Sequence, residues 1–346
     1  MSGGDVVELD ELRLLVVVDN EIDLLSSIAE DIPQVGAAAY LAARAPTVRE
    51  HAGHPCKVIL DRHCCAGHGL SVLVTARRGD EERTMLFDAG PYGWLWKDNA
   101  ARLGIDLAGI EAVFLSHWHS DHSGALVDVV AAVAEARRRA GRPAPLVDLH
   151  PDRPDQRGTL APSGMIQLLP PEPTFEALEA AGGRLVKHDE PHTLCGGLVF
   201  GSGRIDRLTG YEAGLVGHHT LRGDSFAPDP LIMDERFLAA SVHGRGVTVL
   251  SACSHAGVVN ACLGAKDRFH GLPVDVVLGG YHLSGKPMEP RIEATVTDLR
   301  KRIRPRVLAP GHCTGWRAKA ALAQAFAPTN YGPSAVGAQY VLKAGG

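Results

Sequence analysis

The chain has 346 residues, 45% of them hydrophobic and 22% charged, with a formal net charge of −5. That length can bury a large core as one domain spanning residues 1–346, and the composition is ordinary for a globular protein. The acidic balance lacks the basic field that draws a chain to nucleic acid or to an anionic membrane, so neither is an expected partner.

Two short basic clusters, Arg137-Arg138-Arg139 and Arg300-Lys301-Arg302, fall late in expected helices, where cations complement the helix dipole. Seven cysteines at irregular spacing, with Cys64 and Cys65 adjacent, suggest neither a disulfide framework nor a CxxC zinc module. A reducing cytoplasm is therefore the expected compartment. Residues 1–10 are polar and acidic, unlike a signal peptide. The early apolar run at residues 14–18 is too short to span a bilayer.

In chain order, Leu14-Leu15-Val16-Val17-Val18 predicts a buried strand ending in the polar turn Asp19-Asn20-Glu21. Residues 21–45 are alanine-rich and partly helical, broken by Pro33 and Gly36. Residues 33–65, with His51, His54 and His63, predict an irregular insertion, either a lid near a site or a solvated loop. Gly67 to Val74 is a turn into a strand, and 84–89 is another, with hairpin signals at Arg78-Gly79-Asp80. Residues 94–103 predict a helix and 110–115 a buried strand.

Directly after that strand comes Ser116-His117-Trp118-His119-Ser120-Asp121-His122-Ser123-Gly124, and then a helix running to about Ala140. Residues 145–151 predict a strand reaching His150. A proline-rich stretch with one short helix follows, then short strands at 182–187 and 197–200. Residues 202–234, with His218, His219 and Asp224, form a second irregular insertion long enough to shape a substrate pocket. The last third repeats one pattern three times: strands at 247–250, 274–278 and 306–309 each end in a glycine-marked turn bearing a histidine. These turns carry His255, His282 and His312. Alternating strands and helices predict an α/β sandwich.

Three histidines and an aspartate within six residues, at the carboxyl end of a strand, lie where open α/β sheets place their sites. Imidazole suits zinc and iron, and a carboxylate adds an anionic donor. The alternative is a surface turn that happens to be rich in histidine. His117 and His119, two apart in an extended segment, point the same way. They and His255 are expected at one ion, and Asp121, His122 and His312 at a second. Cys253 is a rival donor or an outer contact of the site. His282 reads as a ligand, as an acid or substrate contact, or as a core histidine. Asp88 is expected to orient a metal-bound histidine, and His218 and His219 to contact substrate. The expected cofactors are two divalent ions, zinc first, with iron or manganese as options. They would lower the pKa of a bridging water to give a metal-bound hydroxide, which Asp121 could orient, and His282 or solvent could protonate the leaving group.

With these motifs the chain resembles the metallo-β-lactamase superfamily, whose HxHxDH signature matches His117 to His122, with Asp88-Ala89-Gly90 upstream and His312 downstream. Gly69-Leu70-Ser71, Cys253-Ser254-His255-Ala256-Gly257, Gly279-Gly280-Tyr281-His282-Leu283 and Gly311-His312-Cys313-Thr314-Gly315 resemble a subgroup, the 7,8-dihydropterin-6-methyl-4-(β-D-ribofuranosyl)aminobenzene-5′-phosphate synthases. The resemblance implies an αββα sandwich with a dinuclear site at one edge of two facing mixed sheets. It also implies a hydrolase or synthase acting on a small phosphorylated or ester- or lactone-type substrate, pterin-related in the subgroup. In this subgroup the Cys-Ser-His turn stands where many superfamily members have a metal-bridging aspartate. One departure from the subgroup stands out: Gly203-Arg204-Ile205-Asp206-Arg207 replaces a Gly-Glu-Ile-Pro-Arg-like turn. Competing readings are a di-iron oxygen-reducing protein and a phosphodiesterase or nuclease. The expected partner is a small molecule, with a homo-oligomer left open.

Overall fold

The strand Glu11–Val18 shows how the chain is layered. Leu12, Leu14 and Val16 pack with Leu250, Leu278 and Ala309. Leu15 and Val17 pack on the opposite side, with Leu95, Trp96, Val129 and Val133. Side chains alternate along a strand, so a strand with a layer on each side must be apolar at successive positions. That explains the unbroken run from Leu14 to Val18. The structure is a computed structural model and describes residues 7–61, 63–161 and 163–345. The N-terminal part of the polar stretch, residues 1–6, lies outside the described residues, as do Arg62, Pro162 and Gly346.

Glu11–Val18 belongs to an eight-stranded mixed sheet. Its order is Arg184–Lys187, Leu146–Leu149, Ile110–Phe114, Glu81–Phe87, Ser71–Arg78, Glu11–Val18, Gln339–Lys343 and Gln34–Val35. The first four strands are parallel and the rest are antiparallel. The facing sheet runs His192–Leu194, Val199–Gly201, Leu238–Val242, Gly246–Ser251, Val274–Gly280 and Val307–Gly311, with Glu8–Leu9 paired to Leu238–Val242. Its last three strands are parallel. Helices Gly93–Leu103 and Leu126–Arg139 cover the outside of the first sheet. Helices Val258–Arg268 and Trp316–Phe326 cover the outside of the second, where Val249, Val277 and Leu308 meet Val259, Cys262 and Leu322. The layers are helix, sheet, sheet, helix. No helix among the described residues is long and apolar enough to cross a membrane.

Both irregular regions contain regular structure. Residues 33–65 include the edge strand Gln34–Val35, the helix Ala37–Arg44 docked through Tyr40 and Leu41, and an exposed hairpin of Thr47–His51 and His54–Lys57. Residues 202–234 contribute the hairpin His218–Arg222 and Ser225–Pro228. It joins Gln156–Leu160 and Ile166–Leu168 in a four-stranded antiparallel sheet. Residues 289–303 form three pieces: a tight turn Glu289–Arg291, a helix Ile292–Asp298 and a wider turn Leu299–Ile303. Residues after 316 carry no motif in the sequence. They form a covering helix and the strand Gln339–Lys343, whose Tyr340 and Leu342 are fully buried in the central core.

Candidate metal centre

The strand Ile110–Phe114 delivers the histidine-rich segment, which bends at His117 and Trp118 before a single helical turn, Ser120–Ser123. The segment is not extended, as the spacing had suggested. The His119 N–H donates to the His117 carbonyl at 3.2 Å. The bend has a packing reason: it sends Trp118 into the helix-facing core, where its Nε1 donates to the His150 carbonyl at 3.1 Å. The His117 and His119 rings still converge, 4.7 Å apart at their centroids. His255 arrives from the turn after Gly246–Ser251, its Nε2 3.1 Å from His119 Nδ1. Donor atoms of His117, His119 and His255 all lie within 4.8 Å of one another. His218 Nε2 comes within 2.9 Å of His119 Nε2 from the small antiparallel sheet. His219, the next residue, is not brought to this cluster; alternation along the strand turns it away, and it stacks on Phe226 at 4.7 Å.

A second group joins Asp121, His122, Cys253 and His312. His312 Nε2 lies 3.1 Å from Asp121 Oδ2 and 3.2 Å from His122 Nε2. Cys253 Sγ lies 3.1 Å from His122 Nε2 and 3.3 Å from His312 Nε2. Cys253 is therefore among the donor atoms themselves, where the sequence reading left it as a rival or an outer contact. The two groups touch, with the His117 and His122 rings 4.5 Å apart. The His282 ring lies tilted beside His255, with centroids 4.3 Å apart, and shares a third donor group with Cys253 and His255.

Hydrogen bonds orient the imidazoles from behind. Asp88 Oδ2 accepts from His122 Nδ1 at 2.7 Å and from Ser116 Oγ at 2.8 Å. Ser116 Oγ also lies 2.8 Å from His117 Nδ1. Asp19 accepts the His312 backbone N–H at 2.8 Å, and Asn20 Oδ1 lies 3.0 Å from His312 Nδ1. Glu235 accepts the backbone N–H groups of His255 and Ala256 at 2.8 and 2.6 Å. Sequence reasoning passed over Asp19, Asn20, His68 and Glu235. The first two end a buried strand as Asp88 does, which was a usable signal. Glu235 carries no such mark.

The electrostatics suit a cation. Burial, then neighbouring charged groups and imidazoles, hold His117, His119 and His255 well below the usual histidine range, so these rings stay neutral with lone pairs free. Metal ligation needs that form. In the second group burial opposes charging, yet Asp121 and Asp88 outweigh it and raise His122, while His122 and His312 hold Asp121 well below the usual carboxylate range. A field that draws protons onto buried imidazoles favours any positive species placed there. The Nδ1 atoms of His255 and His282 are buried without a hydrogen-bond partner. Neutral rings, anionic donors and orphaned nitrogens together fit metal ions. Burial also raises Glu172, which accepts from Ser123 Oγ, and Glu235, each to about 7.

Residues 66–208 match the family model described as the metallo-beta-lactamase superfamily, and the layered sheets are that fold. The fold is the metallo-β-lactamase fold, and residues 66–208 are similar in sequence to that superfamily. The chain is 28% identical over 256 residues to the 7,8-dihydropterin-6-methyl-4-(β-D-ribofuranosyl)-aminobenzene-5′-phosphate synthase of Methanocaldococcus jannaschii, covering 73% of this chain and 82% of that one. It superposes with a TM-score of 0.64 and 21% identity on the crystal structure of Tm1679, a metal-dependent hydrolase of the β-lactamase superfamily. That match covers 96% of this chain and 99% of the other. The matched segment 66–208 carries Asp88 and the His117–His122 motif, while His255, His282 and His312 lie beyond it.

Proposed function

We propose that this metallo-β-lactamase-fold chain is a dinuclear metal-dependent enzyme. Its substrate class is a small, anionic, ring-bearing molecule with a phosphate, ester or lactone group, in the range suggested by the name of its pterin-synthase relative. The observation that supports this reading is the contact of two complete donor groups, His117, His119 and His255 beside Asp121, His122, Cys253 and His312. Divalent ions in those groups, zinc first, supply Lewis-acid polarisation of a phosphoryl or carbonyl oxygen and acidify water.

The chain's own residues do the rest. Asp88 and Ser116 fix the His122 and His117 rings, Asp19 and Asn20 fix His312, and Glu235 fixes the His255 turn. A cavity of about 450 Å³ opens beside His312 and is lined by His68, His282, Trp316 and Lys319. Trp316 is 73% exposed, with the Arg317 guanidinium 5.1 Å from its ring, and can stack a planar group, while the buried Lys319 ammonium is paired with Glu21 at 2.8 Å. His282 faces the same cavity and is placed to hand a proton to a leaving group.

The test is metal content together with turnover of bis-p-nitrophenyl phosphate and p-nitrophenyl esters. The parent should carry ions in both donor groups. His119→Ala should lose one ion and drop turnover by about 100-fold or more. Full turnover in His119→Ala would refute the reading.

A further inference from the structure

Asp148, His188 and His192 form another donor group, sharing no residue with the centre above. Asp148 lies on the strand Leu146–Leu149, beside the strand that leads into His117, and is fully buried. Its Oδ2 lies 2.7 Å from His188 Nδ1 and 2.9 Å from His192 Nε2. Its Oδ1 accepts from the Arg236 guanidinium at 2.7 Å. The other nitrogen of His192, Nδ1, lies 2.9 Å from the Glu190 carbonyl oxygen.

That arrangement carries a mismatch. A neutral imidazole has one N–H and one lone pair. His192 stands between two acceptors, so an N–H donated to Glu190 leaves the Nε2 lone pair aimed at a carboxylate. Metal-binding histidines show this outer contact, a ring N–H on a backbone carbonyl, and their carboxylate co-ligands are held from the far side, as Arg236 holds Asp148. We propose that Asp148 Oδ2, His188 Nδ1 and His192 Nε2 hold a further divalent cation of the zinc or ferrous type, outside the His117–His312 centre. Two imidazoles and one carboxylate are a donor set both ions accept, with positions left for water.

Tetrahedral zinc places its donors about 3.3 Å apart. The rings must therefore move off the carboxylate by roughly half an ångström, and because they stack at 3.9 Å with planes 24° apart they must also turn about their side-chain bonds for both lone pairs to meet one ion. The His188 side chain is 39% exposed and Asp189, Glu190 and Pro191 are on the surface, so this connection can yield and gives solvent a route in. The ion would anchor the main centre. Arg236 also donates from its guanidinium to the Leu115 carbonyl and from its backbone N–H to the Ser116 carbonyl, immediately before His117. Asp148, His188 and His192 are positioning residues for that loop.

The experiment uses the full chain, stripped by chelator, refilled with Zn²⁺ and desalted, with zinc counted per chain by elemental mass spectrometry. The parent should hold one more zinc than His188→Ala and than His192→Ala. In a His119→Ala/His312→Ala background that disables the main centre, the His188-dependent zinc should remain, raise the melting temperature when added, and vanish when His188→Ala is combined. Equal zinc counts in the parent and both single variants would overturn the proposal and leave protons, not a cation, between the rings and Asp148. A parent with its main-centre ions intact and no His188-dependent zinc refutes this site alone. The partly exposed His188 makes His188→Ala the variant that keeps the test sound if His192→Ala fails to fold.

Discussion

At the scale of single residues, the centre is built at backbone positions that side chains seldom adopt. Asp88, Ser254, His282 and His312 all have positive φ, at 59°, 60°, 45° and 43°. Each such residue costs about 1–3 kcal/mol and persists only where its surroundings hold it. The holding groups are visible: Asp19 on the His312 N–H, Ser116 and His122 on Asp88, and Ser251 and the Gly280 carbonyl on Ser254 Oγ. Gly69 meets the same demand from the other side. A Cβ there would lie 2.2 Å from the Asp121 carbonyl oxygen, and its φ is +153°. Replacing Asp88 by Asn removes the charge that holds His122 Nδ1 and keeps the shape. Metal affinity should fall by about 10- to 100-fold with little change in melting temperature of the metal-free protein, as read by competition with a chromophoric chelator. The histidines themselves were legible because their density is improbable by chance. Asp19 and Asn20 share the strand-end position of Asp88, whereas Glu235 carries no local mark, because a carboxylate that binds the backbone N–H groups of a distant turn leaves no pattern in its own segment.

At the scale of elements, apolar runs located the buried strands well, since a strand covered on both faces must be apolar throughout. Helix starts were less legible. The helix Val258–Arg268 begins after Gly257, which has no side chain to cap it. Its first N–H groups are met instead by Glu212, which accepts from Val259 at 2.9 Å and Asn260 at 3.0 Å. Glu212 comes from the region read as an irregular insertion, so one role of that region is to cap a helix of the second sheet. Burial raises the Glu212 carboxyl above its usual range, against those hydrogen bonds. A raised folded-state value means stability that is fully present below the unfolded value of about 4.3 and is lost as pH rises through the folded one. Glu212→Gln cannot ionise. It should gain stability relative to the parent as pH rises from about 5 to 8. Urea midpoints at both pH values check this, and a constant difference would show that the carboxyl does not titrate in that window.

At the scale of the whole molecule, the centre depends on parts far apart in the chain. Arg157, on the small antiparallel sheet and 1% exposed, pairs with Asp229 and Asp234. Asp234 in turn accepts the Trp118 N–H at 2.8 Å, inside the histidine segment. A buried cation thus fastens the small antiparallel sheet, with His218, onto the histidine segment. Arg157→Ala leaves two carboxylates facing each other without a counter-charge, which costs about 3–5 kcal/mol when one partner of a buried pair is removed. The urea midpoint should fall accordingly. The same variant should loosen His218 from His119, visible as a change in the imidazole resonances of the folded protein.

The α/β alternation, the strand ends that carry His117, His119, Asp121, His122, His255, His282 and His312, and the likeness to the metallo-β-lactamase fold could all be read from the amino-acid sequence. Those features are local: a run of apolar residues, a dense histidine segment, a glycine beside a histidine. Tertiary structure alone decided what sits beside what. It placed Cys253 among the donor atoms, turned His219 away while bringing His218 in, made Gln339–Lys343 a core strand, and set His188 and His192 against Asp148. Each of these depends on which strands pair and how they register, since neighbours in a sheet can be hundreds of residues apart in the chain. No short window of sequence encodes such pairing.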